Sequence, residues 1–185
     1  MPITKLDDVC ALVSIDLQKG VVGLPAAHPM EEIVGRTAQL ARAFRQRELP
    51  VALVNVSGMA PGRIDHVRHR MEFPPDWTEL APELGQQKDD ILVTKQRWGA
   101  FLGTDLHDRL QQRGVTQIVL TGVATGIGVE STARSAYDLG YNVVLATDAM
   151  TDMDITVHRH SIEMIFPRLG ECDTTENVLK LLQAR

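Results

Sequence analysis

The chain has 185 residues and a net charge of −5, with 19 lysines and arginines against 24 aspartates and glutamates. That balance argues against a nucleic-acid partner, which asks for a basic excess. No apolar stretch approaches the ~20 residues of a membrane span, and Met1–Asp8 shows no charged-then-apolar leader, so the expectation is a cytoplasmic protein without a membrane partner.

With 44% hydrophobic and 23% charged residues, the composition is that of a globular protein, and the length suits one domain over residues 1–185. Short, mostly β-branched apolar runs recur at Cys10–Ile15, Val51–Val56, Ile91–Val93, Gln117–Leu120, Asn142–Ala146 and around Cys172. Runs of this kind are strands buried on both faces. Helical patterns fall between them, at Met30–Glu48, Thr104–Arg113, Val129–Leu139, Ile155–Pro167 and Thr175–Gln183. Pro50 follows the first, Gly114 and Gly140 end the second and third, and Thr174 or Thr175 caps the last. The alternation predicts a three-layer α/β/α fold around a six-stranded parallel sheet. One irregular stretch, Ser57–Asp90, holds Pro61, Pro74, Pro75 and Pro82; a loop of this length tends to cover an active site or to join subunits.

Function in such a sheet collects at the carboxyl ends of the strands. Three ends carry reactive groups: Asp16-Leu17-Gln18 after the first run, Lys95 through Phe101 after the third, and the glycine turn from Thr121 to Gly128 after the fourth. Asp16 and Lys95 face one crevice, as a reactive pair or as an ion pair that serves structure alone. The turn Thr121-Gly122-x-x-x-Gly126-Ile127-Gly128, with Asp148 twenty residues beyond, also has the layout of a dinucleotide fingerprint. An NAD(P)-binding short-chain oxidoreductase is therefore a rival, though no Tyr-x-x-x-Lys pair follows the turn.

Taken together, the three motifs resemble the isochorismatase-like, or cysteine hydrolase, family: Asp16-Leu17-Gln18, Lys95-Gln96-Arg97-Trp98-Gly99-Ala100-Phe101, and Thr121-Gly122-Val123-Ala124-Thr125 leading into Glu130-Ser131-Thr132-Ala133-Arg134. The resemblance spans about residues 9–184 and implies a Rossmann-like α/β fold, a small-molecule hydrolase and a homo-oligomer of two or more subunits. Most such relatives carry a nucleophilic cysteine where this chain has Gly128. Cys10 and Cys172 lie away from the strand ends, and Ser131, three residues on, would need a base. Isochorismatases of the family also have glycine there. They cleave a vinyl ether by proton delivery to carbon, followed by water attack, which needs no covalent nucleophile.

The resemblance then implies Asp16 as the acid, Lys95 as its partner, and Gly128 as the vacant nucleophile position. It implies Gln18, Arg97, Trp98, Phe101, Val123, Ala124 and Thr125 as substrate contacts, a cis peptide at Val123–Ala124, and no cofactor. The alternative is an inactive member that binds a ligand or a partner. Asp65, His66 and His69 have zinc-like spacing but lack a carboxylate at the second strand end, so no metal is expected. His158 and His160 are read as surface residues, and Asp148, Asp152 and Asp154 as caps of the helix that follows them.

Overall fold

A computed structural model describes residues 2–65 and 73–184. Six parallel strands, β1 (Cys10–Ile15), β2 (Val51–Val56), β3 (Ile91–Lys95), β4 (Gln117–Val123), β5 (Asn142–Thr151) and β6 (Glu171–Asp173), pair in the order β3-β2-β1-β4-β5-β6. The predicted sheet is present, and three of its strands run further than the apolar runs suggest. β3 continues through Thr94 and Lys95, β4 through Thr121–Val123, and β5 through Thr147–Thr151. Polar residues at these ends hide the strands from a hydrophobicity pattern, and a register shift between Leu120 and Gly122 lets the longer β5 stay paired.

The helices are α1 (Lys19–Val22), α2 (Met30–Gln46), α3 (Leu106–Gln112), α4 (Glu130–Asp138), α5 (Ile155–His160) and α6 (Thr175–Gln183). A π turn over Thr125–Val129 leads into α4, and the predicted helix from Ile155 to Pro167 is instead α5, a second π turn over Ser161–Ile165, and a 3₁₀ turn over Phe166–Arg168. Pro167, which cannot donate to an α-helical ladder, falls inside the 3₁₀ turn.

Alternation along each strand divides the core in two. Leu12, Leu53, Val119 and Val144 pack with α2 and α6 on one face; Val13, Val54, Leu120 and Leu145 pack with α3 and α4 on the other. Every residue of β1 is buried, which is why that strand reads as continuously apolar. β1 and β4 are neighbours at the centre, where the strand order reverses, so their carboxyl ends flank the crevice that doubly wound sheets use for ligands.

That centre depends on Gly122. Its φ is +117°, and a Cβ would stand 2.0 Å from the Ile15 carbonyl oxygen. Gly114 also has positive φ, at +68°, but a Cβ there meets nothing within 4 Å. In urea unfolding, Gly114→Ala is expected to cost about 1–2 kcal/mol from backbone conformation alone, and Gly122→Ala clearly more. Equal losses would show that the β1–β4 contact does not constrain position 122.

Candidate active site

Asp16 follows the last residue of β1, holds a left-handed φ of +53° and donates its N–H to the Val54 carbonyl at 2.9 Å. Aspartate tolerates that region better than most residues. The turn buries its side chain. Lys95, at the end of β3 and 2% exposed, crosses the end of β2 and donates from Nζ to Asp16 Oδ2 at 2.7 Å and to the Arg97 carbonyl at 3.1 Å. Asp16 Oδ1 is buried and has no hydrogen-bond partner. Burial pushes the Asp16 carboxyl up to about 6, although the Lys95 ammonium and its hydrogen bond pull the other way. Burial wins because both charges give up water for one contact.

Gly128 faces this pair from the π turn. A Cβ at 128 would lie 2.9 Å from Ile15 Cγ2 and 3.3 Å from both Asp16 Oδ2 and the Val123 carbonyl oxygen. The turn therefore comes close to the carboxyl, and a Cβ at 128 would press on Ile15. The Val123–Ala124 peptide is cis, as the resemblance implies, and Thr125 is fully buried behind it.

The remaining candidates are placed unevenly. Gln18 is fully buried and spends its amide on backbone: Nε2 donates to the Val56 and Trp77 carbonyls, each at 2.9 Å, and Oε1 accepts from Val56 N–H at 2.6 Å. It ties strand ends together instead of presenting a free amide. Phe101 is 8% exposed and stacks on Tyr141, with centroids 5.8 Å apart, in the core beneath α3 and α4, so it fills core instead of walling a pocket. Trp98 is 62% exposed. Arg97 is partly exposed and its Nη1 donates to the Gln96 carbonyl at 3.0 Å.

Sequence reasoning missed Trp77. Its Nε1–H donates to the Val56 carbonyl at 3.0 Å, and its ring lies over Gly20, where a Cβ would stand 2.2 Å from it. Lys19 N–H, Gly20 N–H and Ala81 N–H bond to the carbonyls of Glu79, Trp77 and Leu17, laying residues 77–81 beside the end of β1. The long excursion thus returns to the site; a tryptophan within a proline-rich stretch was its one sequence signal.

Two readings need correction. His158 is 6% exposed, not a surface residue: Nδ1 lies 2.9 Å from Thr125 Oγ1 and the ring packs 4.6 Å from that of His28. The acidic run does not cap one helix. Asp154 caps α5 through Thr156 N–H at 2.7 Å, Asp152 Oδ2 accepts from Gly126 N–H at 2.8 Å, and Asp148 Oδ1 accepts from the N–H and hydroxyl of Thr175 at the start of α6. The acid of the dinucleotide-like layout is therefore engaged by a helix terminus. Cys10 is buried in β1, and Cys172 is half-buried in β6 at the edge of the sheet. Among the described residues no group of three or more His, Cys, Asp or Glu is set to hold a metal; His66 and His69 lie outside them. Nor is any described helix long and apolar enough to cross a membrane.

The comparisons agree with this architecture. A family model described as the isochorismatase domain matches residues 10–177. Isochorismatase family protein YwoC of Bacillus subtilis (strain 168) is 42% identical over 177 residues, 92% of each chain. YecD of Escherichia coli O157:H7, of the same family, is 40% identical over 179 residues, covering 93% of this chain and 95% of its own. The solved structure of an isochorismatase family protein from Burkholderia thailandensis superposes with a TM-score of 0.93 at 44% identity, over 97% of this chain and 98% of that one. The chain belongs to the isochorismatase family of hydrolases.

The opposing contributions at Asp16 can be separated. Lys95→Met removes the two influences that lower its carboxyl, so the midpoint followed by ¹³C NMR is expected to rise above about 6. A midpoint that falls would mean that Lys95 does not hold the carboxyl down.

Proposed function

We propose that this hydrolase acts on a small molecule by acid catalysis from Asp16, assisted by Lys95 and without a cysteine nucleophile, and that a vinyl ether of the isochorismate type is its substrate class. The observation that carries the reading is a buried carboxyl, raised to about 6 and bound on one oxygen only, facing a glycine where a thiol would need a side chain.

The geometry supports the following roles. Lys95 occupies Oδ2, so the proton resides on Oδ1, the oxygen left without a partner. Oδ1 delivers it to the methylene carbon of the vinyl ether, and the ether carbon becomes an oxocarbenium ion. Asp16, now a carboxylate, is stabilised by the Lys95 ammonium beside it. Water adds to the cationic carbon, its proton returns to Asp16, and the resulting hemiketal collapses to a ketone and an alcohol, here pyruvate and a dihydroxy acid. No covalent bond to the protein forms, which suits an active-site turn that carries no side chain at 128. The same absence disfavours the amide chemistry suggested by a more distant relative, the ureidoacrylate amidohydrolase RutB of Variovorax paradoxus, 40% identical over 55% of this chain. A relative named isochorismatase, from Bacillus subtilis, is 32% identical over 57% of it. Near the acid, substrate contacts fall to Val123 and Ala124 at the cis peptide, with Arg97 the proposed partner of a substrate carboxylate; Thr125, fully buried and bonded to His158, is left out of them. Assembly into a dimer or larger oligomer, implied by the resemblance, is read by sedimentation.

Pyruvate release from isochorismate tests the reading. Because the protonated form of Asp16 is the active one, kcat/KM is expected to fall as pH rises through about 6, approaching tenfold per pH unit above it. Asp16→Asn should cost about 10²–10⁴-fold while the fold persists. Thiol alkylation of the folded protein, which reaches Cys172 and not the buried Cys10, should leave the rate unchanged. Undiminished release by Asp16→Asn, or inactivation that tracks alkylation, would overturn the mechanism.

A further inference from the structure

Behind the turn lies a second buried polar cluster that the proposed chemistry does not use. Thr125 is fully buried and opens the π turn; its hydroxyl has one partner, His158 Nδ1, at 2.9 Å. One residue on, Gly126 N–H donates to Asp152 Oδ2 at 2.8 Å. α5 packs so closely here that a Cβ at 126 would stand 2.3 Å from Val157 Cγ1. His28, from the connection between α1 and α2, stacks 4.6 Å from His158 and bonds through Nδ1 to Thr151 Oγ1 at 2.9 Å. One helical turn on, Ser161 donates to Glu130 Oε2 at 2.7 Å, joining the segment after α5 to α4.

Three titratable or charged groups face His158: His28 on its connection, Asp152 just after β5, and Arg159 on α5 itself. Burial, together with His28, holds the imidazole below its usual range, so it is neutral at neutral pH. A neutral ring with its proton on Nε2 accepts at Nδ1, and the Thr125 hydroxyl is the donor that meets it.

We propose that His158 is a positioning residue for the active-site turn. By accepting the Thr125 hydroxyl while Asp152 accepts Gly126 N–H, it fixes the segment that carries Gly128 against the Asp16 carboxyl. The turn packs against Asp16: a Cβ at 128 would stand 3.3 Å from Oδ2. Loosening the turn hydrates that carboxyl and returns it toward the ordinary aspartate range. His158 touches no reacting atom; it acts through Thr125. The inference rests on the reading of Asp16 as the acid of this site. Its test needs no substrate, so it can fail while hydrolysis stands, and hydrolysis can fail while it stands.

The experiment is NMR on the full chain with ¹⁵N-labelled histidine and ¹³C-labelled aspartate. In the unmodified protein, His158 should show an acceptor Nδ1 and a protonated Nε2. Thr125→Val, which keeps the shape of the side chain, should shift the Nδ1 resonance and lower the Asp16 midpoint from about 6 toward the usual carboxylate range. His158→Leu should lower it likewise, whereas His158→Asn, whose amide oxygen can take the place of Nδ1, should hold it near that of the unmodified protein. An Asp16 midpoint unmoved in Thr125→Val overturns the proposal whatever His158→Leu does, as does an Asn variant that behaves like the Leu one. A purely structural role would lower thermal stability and leave Asp16 alone.

Discussion

The site is organised by one buried ion pair that spans a strand. Lys95 leaves the end of β3, passes over β2 and meets Asp16 at the end of β1, 2.7 Å away and almost wholly out of water. Two unit charges about 4 Å apart attract by about 4 kcal/mol at an effective dielectric of ~20, whereas burying each costs several kcal/mol. Desolvation therefore decides the balance, and the carboxyl ends near 6 instead of below its usual range. The displacement corresponds to roughly 3 kcal/mol of preference for the protonated form. Since the folded protein holds this proton more tightly than the unfolded chain, stability contributed by Asp16 is complete below the unfolded value of 3.8 and is lost as pH rises toward about 6. A fold optimised for stability alone would place a neutral residue at 16; the proposed mechanism uses the acid that stands there.

The neighbouring segments close around the pair from two sides. Gln18 and Trp77 both bond to the Val56 carbonyl and so draw the returning excursion over the end of β1. From the other side, the tight β1–β4 contact at Gly122 delivers the turn whose Gly128 lies against Asp16. Hydrophobic layers on both faces of the sheet hold these strand ends rigid, so small residues at two positions are enough to set the spacing of the centre.

The sheet, the order of its elements and the meeting of Asp16, Lys95 and the glycine turn were legible because each depends on local patterns: apolar runs for buried strands, and strand ends for the crevice. Contacts that depend on distant packing were not. Gln18 has the composition of a ligand-binding residue but spends its hydrogen bonds on Val56 and Trp77, partners 38 and 59 residues away. α5 inverts the usual pattern: Ile155 and Val157 are exposed at 38% and 39%, while His158 is buried, so periodicity points to the wrong face. Asp148, Asp152 and Asp154 look alike in sequence and serve three different partners, because Asp148 lies within the extended β5, Asp152 just beyond it and Asp154 at the start of α5. Phe101 follows the third strand by six residues, and its ring turns into the core toward Tyr141.

The central claim is that a proton, not a nucleophilic side chain, opens the substrate, and that water then attacks the ether carbon. The direct test is to hydrolyse isochorismate in H₂¹⁸O and locate the label by mass spectrometry. Attack on the enolpyruvyl carbon leaves the original oxygen on the ring, so the dihydroxy product is expected to carry no ¹⁸O. Label in its new hydroxyl would place the attack on the ring carbon and contradict the account.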